Sequence, residues 1–217
     1  MNGVWEMNAW GLIKLGGPLM APIILCSIFA VGIVIEKIIY FAGIKTDVND
    51  LKRNIFDAIK KNNIKEALQM CDISRSPVAK ILKAGILKFG SSREEIKENM
   101  EDVSLFEIPK LESRLAALAT ISHVSPLLGL LGTVTGMISC FYTLQAAAAS
   151  MNPATPGDLA GGIAQALLTT VTGLMVAIPT YVAYNYFVHR IDRFILEMER
   201  AGTELVNFMS HSGESQL

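Results

Sequence analysis

The chain has 217 residues, of which 51% are hydrophobic and 18% are charged, and its formal net charge is -1. Soluble domains carry about 25% charged residues, so the apolar excess must be concentrated in particular segments. The hydrophobicity excludes an intrinsically disordered chain, three cysteines are too few for a disulfide scaffold, and a net charge near zero gives no general attraction to nucleic acid.

Three stretches contain no Asp, Glu, Lys or Arg: residues 15–35, 115–157 and 159–188. A membrane-spanning helix needs about 20 apolar residues, so each stretch is long enough to cross a bilayer. Asp158 separates the second stretch from the third, in a segment with two prolines and a glycine that is typical of a turn. The pattern predicts three transmembrane helices, at residues 18–41, 124–146 and 163–187.

Two other interpretations of the apolar stretches fit less well. A soluble helical protein would have to bury three helices that lack a polar face within 217 residues. A cleaved signal peptide is disfavoured, because no basic cluster precedes the first stretch and the residues after Lys37 are large rather than small. We therefore expect an N-terminal segment at residues 1–17, followed by a retained first span.

The distribution of basic residues predicts the orientation. Residues 45–114 contain 14 Lys and Arg, the segment between the second and third spans contains none, and three arginines follow the third span. Because basic loops stay in the cytoplasm, we expect the loop at 42–123 and the C-terminal segment at 188–217 to be cytoplasmic. The N-terminal segment and the turn at 147–162 then lie on the outer side, and the cysteines, in the membrane or the reducing cytoplasm, form no disulfide.

The cytoplasmic loop has the pattern of several helices. The first places apolar residues at intervals of three and four, at Val48, Leu51, Ile55 and Ile59. Further helices are predicted from Ile64 and from Ser76, which is followed by a proline. Ser92 and Glu95 have the spacing of a capping box. The charged helix that they open is predicted to run without interruption into the second span, with a kink at Pro109.

Apolar residues also continue on one helix face beyond the third span. This C-terminal stripe comprises Ile191, Phe194, Ile195, Met198, Ala201, Leu205 and Phe208. In a single copy the stripe would be exposed to water, so the sequence predicts that copies of the chain associate.

Small and hydroxyl side chains recur at helical spacing in the second and third spans. The faces are Gly129, Thr133, Gly136 and Cys140 in one span and Ala166, Thr170, Gly173 and Ala177 in the other. Such faces let helices approach closely, and Gly132 and Gly136 form a minimal Gly-x-x-x-Gly motif. We therefore predict helix packing at Gly129, Gly132, Gly136, Ala166, Gly173 and Ala177. The threonines are numerous, but a threonine hydroxyl can also bond to its own helix.

The same two spans contain no Asp, Glu, Lys or Arg, although such residues ordinarily mark ion pathways. Gln165 is the nearest polar substitute. His123, at the cytoplasmic edge, is better explained by packing or by the membrane interface than by proton transfer. If protons cross the membrane here, the titrating carboxylate must come from another chain.

Motifs of soluble enzymes are missing from the sequence. It contains no phosphate loop, no His or Cys spacing typical of a metal site and no Gly-x-Ser-x-Gly elbow. We therefore expect no enzymatic activity, no catalytic residue, no metal and no cofactor.

Two motifs in the spans carry a family resemblance. They occupy residues 111–137, including Ser125-Pro126-Leu127-Leu128-Gly129, and residues 161–179, including Gly161-Gly162-Ile163-Ala164-Gln165. With three spans and a long cytoplasmic loop, the chain resembles the TolQ/ExbB/MotA proton-channel family, and within it the ExbB and TolQ type. The fold expected is an all-α membrane protein with three transmembrane helices, the second and third extended into the cytoplasm, and a helical cytoplasmic loop.

The resemblance implies a homopentamer in the inner membrane, with its N-terminus in the periplasm and its second and third spans lining a pore. It also implies an ExbD/TolR-like partner whose single span carries an intramembrane Asp. A TonB- or TolA-like protein would pass the motion to an outer-membrane process such as TonB-dependent transport. Thr133 and Thr170 are implied as pore threonines that face the Asp. Gln165 stands where ExbB and TolQ members have a glutamate, and it can hydrogen-bond in the pore but cannot ionise.

Two other functions stay open on the sequence. A non-conducting oligomeric scaffold would fit the uncharged spans and Gln165, and measuring proton flux in liposomes with the partner would distinguish it from a motor. A substrate transporter would have inverted repeats or broken helices, and three spans offer neither.

Overall fold

A computed structural model describes residues 11, 13, 15–44, 48–149 and 155–214. The regular secondary structure of these residues is helical throughout. The helices are α1 (Met20–Gly43), α2 (Val48–Lys60), α3 (Ile64–Ile73), α4 (Pro77–Leu87), α5 (Arg93–Glu112), α6 (Leu115–Ala149) and α7 (Pro156–Glu214). Three helical segments are long and apolar enough to cross a membrane, so the predicted all-α membrane fold is confirmed.

Most of the apolar surface of these three segments is uncovered within the chain. The apolar windows of Met20–Gly43, Arg93–Ala149 and Leu159–Met209 are only 17%, 28% and 28% buried, respectively. Because exposing so much apolar surface to water is unfavourable, the rest must contact lipid or other polypeptides.

On either side of the turn predicted at residues 147–162, the two neighbouring helices are longer than the predicted spans. α6 continues to Ala149, and α7 begins at Pro156. Proline is favoured in the first helical turn, because the N–H group that it lacks would have no partner there. Residues 150–154 of the predicted turn lie outside the described residues. The membrane boundaries themselves stay predictions.

The prediction of an uninterrupted charged helix is wrong. α5 and α6 are separated by Ser113 and Arg114. Arg114 has a φ of 64°, a left-handed conformation that non-glycine residues rarely adopt. Pro109, by contrast, lies inside α5 without ending it, so the break occurs after the proline and not at it.

The described residues form two compact units. The first, here called the membrane unit, falls within residues 1–35 and 114–185. The second, here called the polar unit, falls within residues 36–113 and 186–217. The helices α2 to α5 belong to the polar unit, and the long helix α7 contributes residues to both.

Local sequence signals start the helices of the polar unit as predicted. Pro77 occupies the first turn of α4. The N–H of Glu95 donates to Ser92 Oγ over 3.2 Å at the start of α5, as in a capping box. On α2, the apolar face predicted from the three-and-four spacing is buried at Leu51, Ile55 and Ile59.

The C-terminal stripe is covered by the chain's own helices, so the expectation that it is exposed in a single copy is wrong. The association of copies stays a prediction. Phe208 packs against Phe56 of α2, with ring centroids 5.6 Å apart. Ala201 and Leu205 are fully buried within the polar unit. The sequence pattern predicted an apolar face correctly, but it could not indicate that the loop between the first two spans folds back onto this face.

Two charged side chains are buried in the polar unit. Lys37 is 2% exposed, and its ammonium donates to the carbonyl of Leu111 over 2.7 Å, near the C-terminal end of α5. Glu107 accepts hydrogen bonds from Lys80 and Lys110, each over 2.6 Å. Because helix C-terminal carbonyls lack partners within the helix, Lys37 caps α5 just before the break.

Candidate functional site

The candidate site lies in the membrane unit, where α6 and α7 pack closely in opposite directions. Near one end of the contact, Gly173 of α7 lies against the Ser125 carbonyl of α6. Further along, Gly136 of α6 lies against Gly162 of α7. Position numbers therefore rise along α6 as they fall along α7, which is the arrangement of an antiparallel pair.

Glycines make this approach possible. A Cβ atom added to Gly173 would lie 2.6 Å from the Ser125 carbonyl oxygen, and one added to Gly136 would lie 2.6 Å from the Gly162 carbonyl oxygen. A Cβ on Gly132 would overlap the side chain of Thr169. The structure brings five of the six predicted packing residues to this contact: Gly129, Gly132, Gly136, Ala166 and Gly173. The sixth, Ala177, is also buried.

The buried row on α6 differs by one residue from the face predicted to contain Thr133. It runs through Ser125, Gly129, Gly132, Gly136 and Cys140. Thr133 is half-buried beside this row, and its hydroxyl donates to the Leu130 carbonyl over 2.6 Å. The reason is steric, because only a residue without a side chain fits opposite Thr169.

The hydroxyl of Thr170 connects the two helices. It is shared between the carbonyl of Gly129 on α6 and the carbonyl of Ala166 on its own helix, each at 3.2 Å. Thr170 is half-buried and, like Thr133, follows a contact residue by one position. In an antiparallel pair of right-handed helices, these two positions lie on the same side of the contact. This common side is here called the threonine side.

Within the part of the chain that the structure describes, other threonines of the pair bond to their own helices. Thr135 donates to the Gly132 carbonyl over 3.0 Å, and Thr172 donates to the Leu168 carbonyl over 2.8 Å. Such bonds satisfy the donor and leave lone pairs of the hydroxyl oxygen for a further ligand.

Gln165 does not share the threonine side. It is five positions before Thr170, which corresponds to about 140° around the helix. Its side-chain amide lies directly against Gly17, where a Cβ atom would overlap it. Gly17 has a φ of 72°, a left-handed conformation that favours glycine, whereas the overlapping Gln165 amide is the end of a flexible side chain that can move. The structure thus places Gln165 beside the N-terminal approach to α1.

Sequence reasoning missed Ser125 as a member of the contact. Its side chain is fully buried, and its hydroxyl has no hydrogen-bond partner among the described residues. The signal was present, because Ser125 precedes Gly129 by four positions and so extends the same helix face. His123 lies nearby on α6, and its ring packs edge to face with that of Tyr181 of α7, with centroids 6.3 Å apart.

Comparison with known families supports the resemblance in the spans. The MotA/TolQ/ExbB proton channel family matches residues 73–200, a range that includes α5, α6 and the apolar part of α7. The match therefore contains the entire α6–α7 contact.

Individual relatives have the same family names. The chain is 30% identical over 207 residues to the biopolymer transport protein ExbB of Salmonella typhimurium, covering 87% of this chain and 81% of that one. It is 36% identical over 131 residues to the Tol-Pal system protein TolQ of Pseudomonas aeruginosa, covering 55% of each. A protein of Methanothermobacter thermautotrophicus described as an ExbB homolog is 33% identical over 190 residues, and the match covers 87% of this chain and 66% of that relative.

Proposed function

Because the chain belongs to the MotA/TolQ/ExbB proton channel family, we propose that it is a pore-forming ring subunit of an inner-membrane motor driven by the proton motive force. This is a family of transport motor subunits and not of enzymes, so the proposal assigns no catalytic residue, metal or cofactor. The proposed orientation has the N-terminus in the periplasm and the C-terminus in the cytoplasm, as the basic residues favour.

The observation that carries the proposal is the threonine side of the α6–α7 pair. Thr133 and Thr170 lie there, on helices that contain no Asp, Glu, Lys or Arg over residues 115–157 and 159–188. A carboxylate in an apolar pore prefers to be protonated, whereas hydroxyls and the water that they bind stabilise its charged form. The threonine side is therefore suited to a carboxylic acid that gains and loses protons, provided that another chain supplies it.

We propose that this acid is an Asp in the single span of an ExbD/TolR-like partner, surrounded by a homopentamer of this chain. The names of the relatives, ExbB and TolQ, support this class of assembly. The apolar windows, at most 28% buried in one copy, leave ample surface for neighbouring copies and lipid. A TonB- or TolA-like protein would then transmit the motion to an outer-membrane process such as TonB-dependent transport.

Substitution of Thr170 tests the proposal. The chain and its ExbD/TolR-like partner are reconstituted together in liposomes that contain a pH-sensitive dye, and proton flux is measured. Thr170→Val retains the side-chain shape but removes the hydroxyl. The Thr170 hydroxyl already donates to backbone carbonyls, so it would accept a hydrogen bond from the protonated acid or from water. Since such a bond contributes about 0.5–1.5 kcal/mol, we expect proton flux to fall by about twofold to tenfold.

The matched control is Thr170→Ser, which keeps the hydroxyl and should conduct nearly as well as the wild type. Because Thr170 also bonds to the Gly129 carbonyl, the size of each purified complex is measured to show that assembly is intact. Wild-type flux through the Thr170→Val complex would contradict a pore role for this residue.

The alternative is a non-conducting scaffold. It is favoured by the threonine hydroxyls, since those of Thr133, Thr135, Thr169, Thr170 and Thr172 all donate to backbone carbonyls. It predicts a stable complex with the partner that conducts no protons in the same liposomes.

A further inference from the structure

We propose that His123 accepts and releases protons at the cytoplasmic end of the threonine side, an inference that rests on the proposed motor function. A proton that leaves the partner's carboxylic acid would pass through water to the Nε2 atom of His123, forming an imidazolium. The imidazolium would then release a proton to cytoplasmic water and return to its neutral form. The number of protons is conserved, and no covalent bond other than N–H or O–H changes.

The composition of the two spans singles out His123. Residues 115–157 and 159–188 contain no Asp, Glu, Lys or Arg, and His123 is the only histidine in either stretch. Of the ordinary side chains, imidazole is the one that changes charge between about pH 5 and 8. A proton that moves out of the middle of the membrane along these two stretches would therefore meet one imidazole, that of His123.

The local geometry determines which nitrogen is basic. Nδ1 of His123 lies 2.8 Å from the Ala119 carbonyl oxygen. Because a carbonyl oxygen only accepts hydrogen bonds, Nδ1 carries the hydrogen, and Nε2 of the neutral ring has the lone pair. The residue is also exposed within the single chain, and the proposal places Nε2 in contact with cytoplasmic water.

Tyr181 links His123 to the threonine side. Tyr181 follows Thr170 by eleven positions, which is close to three turns, so the two lie on one stripe about 16 Å apart. The rings of Tyr181 and His123 meet edge to face, at 71° between their planes. Tyr181 is the titratable side chain that faces His123 from α7, and Thr170 is the hydroxyl residue further along its stripe. Because both stretches are free of charged side chains, no fixed charge in them competes with the imidazole for the proton.

The test compares His123→Asn with the wild type in the reconstituted complex with the ExbD/TolR-like partner. Asparagine can still donate to the Ala119 carbonyl through its amide, but it has no basic nitrogen. Flux is measured while the pH on the cytoplasmic side is varied from 5 to 8. We expect the wild-type rate to change with this pH, and the variant to be at least about tenfold slower and independent of pH over this range. Added imidazole should restore part of the lost rate.

His189→Gln is the matched control, since His189 lies on α7 beyond the charge-free stretch, and it should retain the wild-type pH profile. A His123→Asn complex that conducts with the wild-type pH profile would overturn the role of His123 and leave the motor proposal intact. If the His123→Asn complex conducted more slowly but kept the wild-type pH profile and did not respond to imidazole, His123 would act in packing only, and the proposed proton transfer would be overturned. A wild-type complex that does not conduct would overturn the motor proposal, and this inference with it.

Discussion

Gly173 shows how little space separates the two paired helices. A methyl group at this position would meet three backbone atoms of α6: the Ser125 carbonyl oxygen at 2.6 Å, the Gly129 Cα at 3.1 Å and the Gly129 nitrogen at 3.3 Å. Backbone atoms cannot rotate away as the end of a side chain can, so the helices would have to separate. We predict that Gly173→Ala destabilises the full chain by about 1–3 kcal/mol, measured as a lower melting temperature in detergent.

Gly161 on the same helix provides the control for that experiment. A Cβ atom at Gly161 would have no neighbour within 4 Å among the described residues. Because alanine is a better helix former than glycine by about 1 kcal/mol, Gly161→Ala should be neutral or stabilising. If both substitutions lowered the melting temperature equally, the close contact at Gly173 would not explain the effect.

The sequence predicts the small residues of the contact. It does not predict which residues of α6 pack against α7 and which lie on the threonine side. The spacing of three and four residues is satisfied both by Gly129, Thr133 and Gly136 and by Gly129, Gly132 and Gly136. Which of the two rows faces α7 depends on Thr169, a residue that is 37 positions after Gly132 and whose side chain excludes any opposing Cβ. The location of Gln165 beside Gly17 depends on contact with a third segment, which helical periodicity does not encode.

The ion pair at Glu107 joins two helices of the polar unit. Glu107 of α5 is 7% exposed and contacts Lys80 of α4 and Lys110 of its own helix, each over 2.6 Å. Burial alone would raise the pKa of the Glu107 carboxyl, but the hydrogen bonds and charges of the two lysines outweigh burial and lower this pKa. The folded state therefore binds a proton less readily than the unfolded state does.

The direction of the Glu107 pKa shift determines how the stability of the fold should depend on pH. A carboxyl whose pKa is lowered by folding stabilises the fold above its unfolded pKa of about 4.3, and that stabilisation is lost as the pH falls through the folded value. Glu107→Gln should lower stability by about 1–2 kcal/mol at pH 7 and should flatten the loss of stability below about pH 5. The measurement is the melting temperature of the full chain in detergent between pH 3 and 8.

The control lies on the same helix. Glu101 forms an ion pair with Lys97 at 3.4 Å, but both side chains are exposed to solvent. Surface pairs contribute little, so Glu101→Gln should leave the pH profile nearly unchanged. Identical profiles for wild type and Glu107→Gln would show that the buried carboxylate does not stabilise the packing of α4 on α5.

The sequence predicts a helix end when the interactions that form it lie within a few residues, and it fails when they come from a distant part of the chain. Ser92, Glu95 and Pro77 act within their own turns, and the helix starts that they predict are confirmed. The break between α5 and α6 has no such local signal, because it places an arginine, not a glycine, in the left-handed conformation. The Lys37 ammonium that caps α5 comes from a residue 74 positions away. The sequence around Leu111 therefore does not indicate that Lys37 caps the helix.

The polar unit covers the C-terminal stripe with its own helices, whereas the membrane-spanning segments leave most of their apolar surface uncovered. The C-terminal stripe needs no other copy, since the chain's own helices cover it. The apolar windows of the membrane segments, at most 28% buried, still require a surrounding of lipid or protein. The membrane-spanning helices are therefore the surfaces available for assembly, and the threonine side is the surface proposed to meet the partner.

The most direct test is proton flux in three preparations of equal protein content: this chain alone, the chain with the proposed ExbD/TolR-like partner, and the chain with that partner carrying Asn in place of the proposed intramembrane Asp. Since residues 115–157 and 159–188, in the two helices proposed to line the pore, contain no Asp, Glu, Lys or Arg, we expect flux only in the second preparation. Equal flux from the chain alone, or from the complex with the Asn-bearing partner, would contradict the claim that the acidic group is supplied by a second polypeptide.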